Sequence, residues 1–269
     1  METECIEVLA QCVRRNEPVA LLTVLENKGS SPGKPGAMMT VHGEKSISGT
    51  IGGGSLELQA IDDAINCLAT GESREIYYGF NDDGEPGMSC GGDVRVFIKT
   101  LQPSPQLVIV GAGHIGLELY QLGVQQGLRL IVIDDREELV TKERFPAAKR
   151  TVAGDIPAVL RKLKIVENCY ITIGTRSHDI DRLSLEAVVD SDATYVGMIG
   201  NRSKIKNTFK YLLEQGVSRE NISKVYAPMG LDIASIQPKE IAMSIMSEIL
   251  LVKNGGTLEH MRVVKHIQI

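Results

Sequence analysis

The sequence predicts an α+β domain followed by a Rossmann-like α/β domain with a doubly wound parallel sheet. Three observations lead there. The chain has 269 residues, and at roughly 100–200 residues per domain that length fits two domains. The rhythm of the chain changes at Gln102-Pro-Ser-Pro-Gln106, a stiff, turn-rich stretch of the kind that joins domains. Directly after it come a short aliphatic strand, a glycine-rich turn and a helix, the opening of a mononucleotide-binding unit. The expected boundaries are 1–101 for the first domain, 102–106 for the linker and 107–269 for the second.

The first half opens with a stripe of Cys5, Ile6, Val8, Leu9, Cys12 and Val13, spaced as the apolar side of a helix. Cys5 and Cys12 read as small core residues. Residues 19–25 are aliphatic and β-branched, hence a strand, and 27–36 form a loop. Residues 37–41 and 46–51 make two further strands around a turn at His42-Gly43. Gly52-Gly53-Gly54 opens a helix that buries Leu56, Ala60, Ile61, Ala64, Ile65 and Leu68. Gly71 is placed to end it in a left-handed conformation. Strands at 75–80 and 94–101 flank a polar loop at 81–92. Strands and helices mix here without a βαβ rhythm, which is the α+β pattern.

In the second half, 107–110 is a strand, 115–126 a helix and 129–133 a strand ending in Asp134-Asp135. Strands at 170–173 and 195–199 follow, with helical stretches near 182–189 and 203–215. Pro238 stands where its missing N–H costs nothing, at the first position of a helix. That helix buries Ile241, Ile245, Ile249 and Val252, with Gly255 just past its end. Short aliphatic strands alternating with helices require a parallel sheet covered on both faces.

Composition narrows the function. Apolar residues make up 43% and charged residues 23%, which excludes a disordered chain, a collagen and a membrane bundle. Tryptophan is absent and aromatics are 4%, so the core is aliphatic and platforms for stacking bases are scarce. A net charge of −5 without a basic run argues against nucleic-acid binding. No apolar run reaches the ~18–20 residues that cross a bilayer, and Met1-Glu-Thr-Glu4 is not the start of a secretory signal. Five widely spread cysteines with no C-x-x-C pair give no disulfide framework. The expectation is a cytoplasmic protein.

Several motifs carry chemistry. Gly111-Ala-Gly113-His-Ile-Gly116 follows a strand and opens a helix: Gly111 for the tight turn, Gly113 for phosphate approach, Gly116 for close helix packing. The helix start offers N–H groups and a positive dipole end to an anion. Asp134 or Asp135, about 20 residues on, is a candidate acceptor for ribose hydroxyls. Gly52-Gly53-Gly54 is either a second anion nest or a tight strand–helix connection. Glu57, in the first turn, favours the helix dipole.

Cys90, in Met88-Ser-Cys90-Gly-Gly92, sits among glycines in a polar loop, where backbone N–H groups favour an exposed thiolate. Thiolate is a soft metal ligand and a sulfur nucleophile. His178 and Asp181, then Gly200, Arg202 and Lys204, and finally Gly230 and Asp232 follow later strands at the sheet edge where open α/β sheets bind ligands. With the Gly111–Gly116 turn, these make four loops at one edge and argue for one cleft.

Taken together, these strings resemble the XdhC/CoxI family, the xanthine dehydrogenase accessory factors, over nearly the whole chain. The resemblance rests on Gly29-Ser-Ser-Pro32, Gly49-Thr-Ile-Gly-Gly-Gly54 with Glu57, Met88-Ser-Cys90-Gly-Gly92, Gly111-Ala-Gly-His114 and Asp134-Asp-Arg136. It continues through Arg144-Phe-Pro146, His178 with Asp181, Gly197-Met-Ile-Gly200, Gly230-Leu-Asp-Ile233 and Pro238-Lys-Glu-Ile-Ala242. The chain departs from the family pattern at Gly33, Ser177 and Asn201.

The resemblance implies a maturation factor that binds molybdenum cofactor (molybdopterin). Such a factor supports replacement of an oxo ligand by sulfido sulfur and passes the cofactor to a xanthine dehydrogenase-type molybdenum hydroxylase. A cysteine desulfurase is a further expected partner, and a homodimer is expected because a two-domain carrier with a glycine-rich small domain needs a second subunit to close its cleft. The implied cofactor-binding set is Gly52, Gly53, Gly54, Glu57, Gly111, Gly113, His114, Gly116, Asp134, Asp135, Arg136, His178, Asp181, Gly200, Arg202, Lys204, Gly230 and Asp232. Beside that set, Cys90 is the candidate catalytic and metal-touching residue. Two other readings compete. The glycine fingerprint on its own suits an NAD(P)-dependent oxidoreductase, although no hydride acceptor or proton donor stands out. A purely structural partner of the hydroxylase is the third.

Overall fold

The computed structural model describes residues 2–29, 33–43, 45–80 and 92–265, and the chain divides into two compact units, Met1–Pro103 and Ser104–Ile269. The first contains α1 (Glu2–Arg15), β1 (Val19–Gly29), β2 (Met38–His42), β3 (Ser46–Gly49), α2 (Gly54–Thr70), β4 (Arg74–Phe80) and β5 (Gly92–Leu101). Its sheet runs β3-β2-β1-β5-β4 with every neighbouring pair antiparallel. A register shift between Val24 and Glu26 marks a bulge in the long β1 strand. Leu56, Ala60, Ala64 and Cys67 of α2 are buried against Leu22, Val24, Val96 and Ile98 of the sheet. Gly71 ends α2 at φ 76°, the left-handed cap its position predicts.

The α1 stripe is narrower than the sequence suggests. Cys5 and Cys12 are buried, whereas Ile6 and Val13 are about half exposed. Each lies one residue, about 100° of helical turn, beyond the buried row. Two-sided burial of a short helix at the end of a sheet is not required, and the structure does not provide it.

The second unit contains β6 (Gln106–Val110), α3 (His114–Gln125), β7 (Arg129–Asp134), β8 (Arg150–Ala153), α4 (Ile156–Lys162), β9 (Cys169–Ile173), α5 (His178–Val188) and β10 (Tyr195–Met198). It continues with α6 (Arg202–Glu214), α7 (Arg219–Ser223), α8 (Pro238–Asn254) and α9 (Met261–Val264). The sheet order is β10-β9-β6-β7-β8, parallel throughout. Beyond β10, Tyr226 forms one isolated parallel bridge with Gly197.

Alternation along the strands builds two cores. Leu107, Ile109, Leu130 and Val132 face Leu119 of α3 and Ile245 and Ile249 of α8. Val108, Val110, Ile171 and Ile173 face Leu160 of α4, Leu185 of α5 and Leu212 of α6. Adjacent strand residues point to opposite faces, so both sides of β6 and β9 must be apolar. That is why β6 reads as the aliphatic run Leu107-Val-Ile-Val110, while β9 mixes Ile171 and Ile173 with the buried Cys169, Tyr170 and Thr172. Helix α8 begins as Pro238 predicts, with a capping box between Gln237 and Glu240. Arg144-Phe-Pro146 serves packing: Phe145 is fully buried and meets Tyr120 edge-to-face at 4.9 Å. No helix among the described residues is long and apolar enough to cross a membrane.

Candidate functional site

In the parallel sheet, the helix after β6 packs on one face and the helix after β9 on the other. The carboxyl ends of these two adjacent strands therefore part, which is the switch point where open α/β sheets bind ligands. A small recess of about 10 Å³, room for one water, lies beside it, lined by Gly111, Ile115, Thr172, Gly174, Ile199 and Met229.

Each glycine of the turn after β6 has its own reason. Gly111 adopts φ 110°, and a Cβ on it would lie 2.2 Å from the Gly174 carbonyl oxygen. A Cβ on Gly116 would lie 1.9 Å from the Gly111 carbonyl oxygen. Gly113 is different. Its backbone is extended, at φ −69° and ψ −165°, and a Cβ there would meet nothing within 4 Å. Neither conformation nor packing within the chain calls for a glycine at 113. The bare backbone faces open space beside the start of α3, which no side chain caps. That is the arrangement in which an anion approaches N–H groups at the positive end of a helix. His114, the first residue of α3, is exposed.

The acids after β7 separate. Asp134 is completely buried. Its Oδ2 accepts the Ala112 N–H at 2.7 Å and Arg136 Nη2 at 3.0 Å, and its Oδ1 accepts Arg136 N at 3.0 Å and Nε at 2.8 Å. Burial pushes the carboxyl up, but Arg136 and the Ala112 N–H outweigh it and hold Asp134 at about 2. Both Asp134 oxygens are thus engaged within the chain, Oδ2 fastening the glycine turn through Ala112 and both oxygens gripping Arg136. Asp135 is the outward acid, its side chain 21% exposed. Its Oδ2 accepts Arg176 Nη2 at 2.7 Å and Nε at 3.2 Å. Its Oδ1 is buried without a hydrogen bond, 3.8 Å from Arg136 Nε.

The loops after β9 and β10 are tied together from inside. Asp181, also fully buried, accepts the Thr175 N–H at 2.7 Å and Lys204 Nζ at 2.5 Å. Lys204 also donates to the Ile199 carbonyl at 2.8 Å. Asp181 and Lys204 thus brace the two loops from within. His178, three residues from Asp181 along α5, is exposed, so the two do not work as a pair. Gly200 leaves room for the Lys204 stem, which a Cβ would approach to 2.8 Å. Asn201 caps α6 by accepting the Lys204 N–H at 2.9 Å, and Arg202 is exposed. After β10, Gly230 N–H donates to Glu248 at 2.8 Å, which also accepts the buried Tyr195 hydroxyl at 2.6 Å. Asp232 is exposed.

In the first unit the Gly52–Gly54 nest already holds an anion. The Glu57 carboxylate curls back to accept Ile51 N–H at 3.0 Å and Gly53 N–H at 2.9 Å, together with the Thr50 hydroxyl. Burial raises the Glu57 carboxyl, yet these donors bring it below the usual range. All three of these contacts fall on Oε1 of the carboxylate. Cys90 and its glycines lie outside the described residues. Cys5, Cys12, Cys67 and Cys169 are buried, and burial raises the Cys169 thiol to about 11. Among the described residues no three His, Cys, Asp or Glu side chains form a metal cluster.

Arg176 is absent from the ligand set drawn from the sequence. It follows β9 directly, in the stretch Gly174-Thr-Arg176, and a cation immediately past a parallel strand at the switch point was the signal available.

The family model for the XdhC Rossmann domain matches residues 107–249, and that for the XdhC and CoxI family matches residues 12–79. The chain belongs to the XdhC family. Among XdhC relatives, the uncharacterised protein YqeB of Escherichia coli (strain K12) is 32% identical over 92% of this chain and 46% of its own length. A protein of Bacillus subtilis (strain 168), named as a probable xanthine dehydrogenase component, is 25% identical over 58% of the chain and 45% of its own length. The chain thus spans about half of each. The molybdenum cofactor insertion chaperone PaoD of Escherichia coli (strain K12) is 22% identical over 87% of the chain and 83% of its own length. A crystal structure of a xanthine dehydrogenase from Bacillus halodurans shares the fold, with a TM-score of 0.52 at 20% identity, covering 95% of this chain and 97% of that one.

Proposed function

We propose that this XdhC-family chain is a maturation factor that carries molybdenum cofactor as cargo to a xanthine dehydrogenase-type molybdenum hydroxylase. The observation that carries the reading is Gly113: a bare, extended backbone residue with open space where a side chain would stand, beside an uncapped helix start. Such a cradle suits the terminal phosphate of a pterin. A maturation role is further supported by the likeness to a protein named as a molybdenum cofactor insertion chaperone.

In this reading Gly113 and the start of α3 receive the phosphate. The exposed His114, His178, Arg202 and Asp232 border the pterin. Cys90 touches the metal or its exchangeable sulfur, with a cysteine desulfurase as the sulfur source and a second copy of the chain completing the assembly. The chain itself binds, orients and shields the cargo. An NAD(P) reading is weaker, because a ribose diol needs an acid after β7. Asp134, the buried acid there, is already engaged by Ala112 and Arg136, which leaves only Asp135 for that task.

The test is metal and pterin analysis of the full chain purified from a molybdate-fed host. Stoichiometric molybdenum with pterin is the expected result, and Gly113→Val is expected to abolish it. Protein free of both, or Gly113→Val with wild-type content, ends the reading.

A further inference from the structure

We infer that Arg176 is the phosphate-selecting residue of this site, holstered on Asp135 until the terminal phosphate of the ligand takes it. The inference rests on the reading that the glycine turn after β6 receives a phosphate.

Strand order places the pair. Strand β6 lies between β9 and β7, Arg176 follows β9 and Asp135 follows β7. The ion pair joining them, 2.7 Å from Nη2 to Oδ2, therefore passes over the carboxyl end of β6, where the glycine turn begins. A ligand reaching Gly113 enters beside this strap.

Two arginines at this edge are held in contrasting ways. Arg136 grips both oxygens of Asp134, with Nε on Oδ1 at 2.8 Å and Nη2 on Oδ2 at 3.0 Å. That is the two-pronged geometry in which guanidinium–carboxylate pairs are strongest, and the acid is buried. Arg176 sets both its donors, Nη2 at 2.7 Å and Nε at 3.2 Å, on the single oxygen Oδ2 of Asp135. Its fork is unfilled, and its side chain is 60% exposed, so little holds it in place. A phosphate presents the fork with two oxygens and, as a monoester, with close to two negative charges.

Asp135 tolerates the exchange. Its Oδ1, which accepts no hydrogen bond, lies 3.8 Å from the Arg136 guanidinium, so a cation remains beside the acid when Arg176 leaves. The ligand class selected this way bears a terminal phosphate, since a pyrophosphate diester carries only about one charge per phosphorus.

The experiment titrates the full chain with the fluorescent oxidised pterin prepared from molybdenum cofactor, with its terminal phosphate and after phosphatase removes it. Wild type is expected to prefer the phosphorylated pterin at least tenfold. Arg176→Gln is expected to lower that preference about tenfold while binding the dephosphorylated pterin unchanged, with Arg176→Lys between the two. Asp135→Asn is expected to bind the phosphorylated pterin several-fold tighter than wild type. Circular dichroism melting checks that each variant folds, as substitutions at partly exposed positions allow.

Arg176→Gln with the wild-type preference, Asp135→Asn that loses it, or NADH binding that depends equally on Arg176 would each overturn the inference. If Gly113→Val abolishes binding while Arg176→Gln keeps the preference, the glycine-turn reading stands and the role of Arg176 falls. If wild type shows no preference, or Gly113→Val binds normally, both fall together.

Discussion

Lys204 Nζ lies 2.5 Å from Asp181 Oδ2, and the pair locks the loop that leaves β9 to the loop that leaves β10. Asp181 is wholly buried and the Lys204 side chain only 9% exposed. Removing one partner strands the other charge away from water. Lys204→Met is therefore expected to cost about 3–5 kcal/mol in urea unfolding. The double variant Lys204→Met, Asp181→Leu should recover part of that loss. A single variant as stable as wild type would show that the pair is solvated.

Acid unfolding should report Asp134. Its folded value of about 2 lies below the ordinary 3.8, so its charged form contributes stability above the ordinary value. That contribution is lost as pH falls through roughly 4 to 2. By linkage it is about 2 kcal/mol. Stability measured from pH 5 down to pH 2 should fall less steeply in Asp134→Asn, which begins from a lower plateau. Parallel curves for the two proteins would contradict the assignment.

Gly111 and Gly113 should part company under the same substitution. Gly111→Ala meets both a backbone conformation hostile to side chains and the Gly174 carbonyl, and is expected to lose at least about 2 kcal/mol. Gly113→Ala is expected to melt within about 0.5 kcal/mol of wild type and to weaken phosphate-ligand binding. Equal melting temperatures for the two variants would refute this account of the turn.

Glu57→Ala leaves the Ile51 and Gly53 N–H groups without their carboxylate. A loss of about 1–3 kcal/mol in the first unit is expected, read as earlier unfolding of that unit in calorimetry. Glu57→Gln keeps an acceptor and should lose less.

Thiol labelling tests the role proposed for Cys90. Cys5, Cys12, Cys67 and Cys169 are all buried, and burial keeps each thiol in its protonated, unreactive form. Native protein should take up one alkylating group per chain, at Cys90 by peptide mapping, and five after denaturation, matching the five cysteines of the sequence. Uptake at any of the four described cysteines, or none at Cys90, would contradict it.

The strands of the parallel sheet are legible in the sequence because burial on both faces forces long aliphatic runs, as in Leu107-Val-Ile-Val110. Strand β8 is not. Arg150-Thr-Val-Ala153 sits at the sheet edge with partial burial only, so it carries no hydrophobic signature. Helix α5 starts earlier than its apolar pattern suggests, because His178 to Asp181 holds three polar residues: Asp179 favours the first turn and pairs with Arg182, and Asp181 turns inward as the brace. The glycine turn is legible as a motif, including the freedom of Gly113. Which acid turns inward at Asp134-Asp135 is not, since that depends on the Ala112 N–H arriving from beyond a different strand. Glu57 likewise reads as a dipole partner, and only the fold of Gly52–Gly54 brings the backbone donors round to it.

The isolated bridge between Gly197 and Tyr226 bears on how the second unit meets its surroundings. Tyr226 N–H donates to the Val196 carbonyl and the Tyr226 carbonyl accepts the Met198 N–H, both at 2.9 Å. The outer hydrogen-bonding row of β10 is thereby sealed by the protein's own chain. The opposite rim belongs to β8, four residues long and opening with Arg150. A foreign strand finds neither border hospitable, so any protein that engages this unit has loops and helices to grip rather than a sheet to extend.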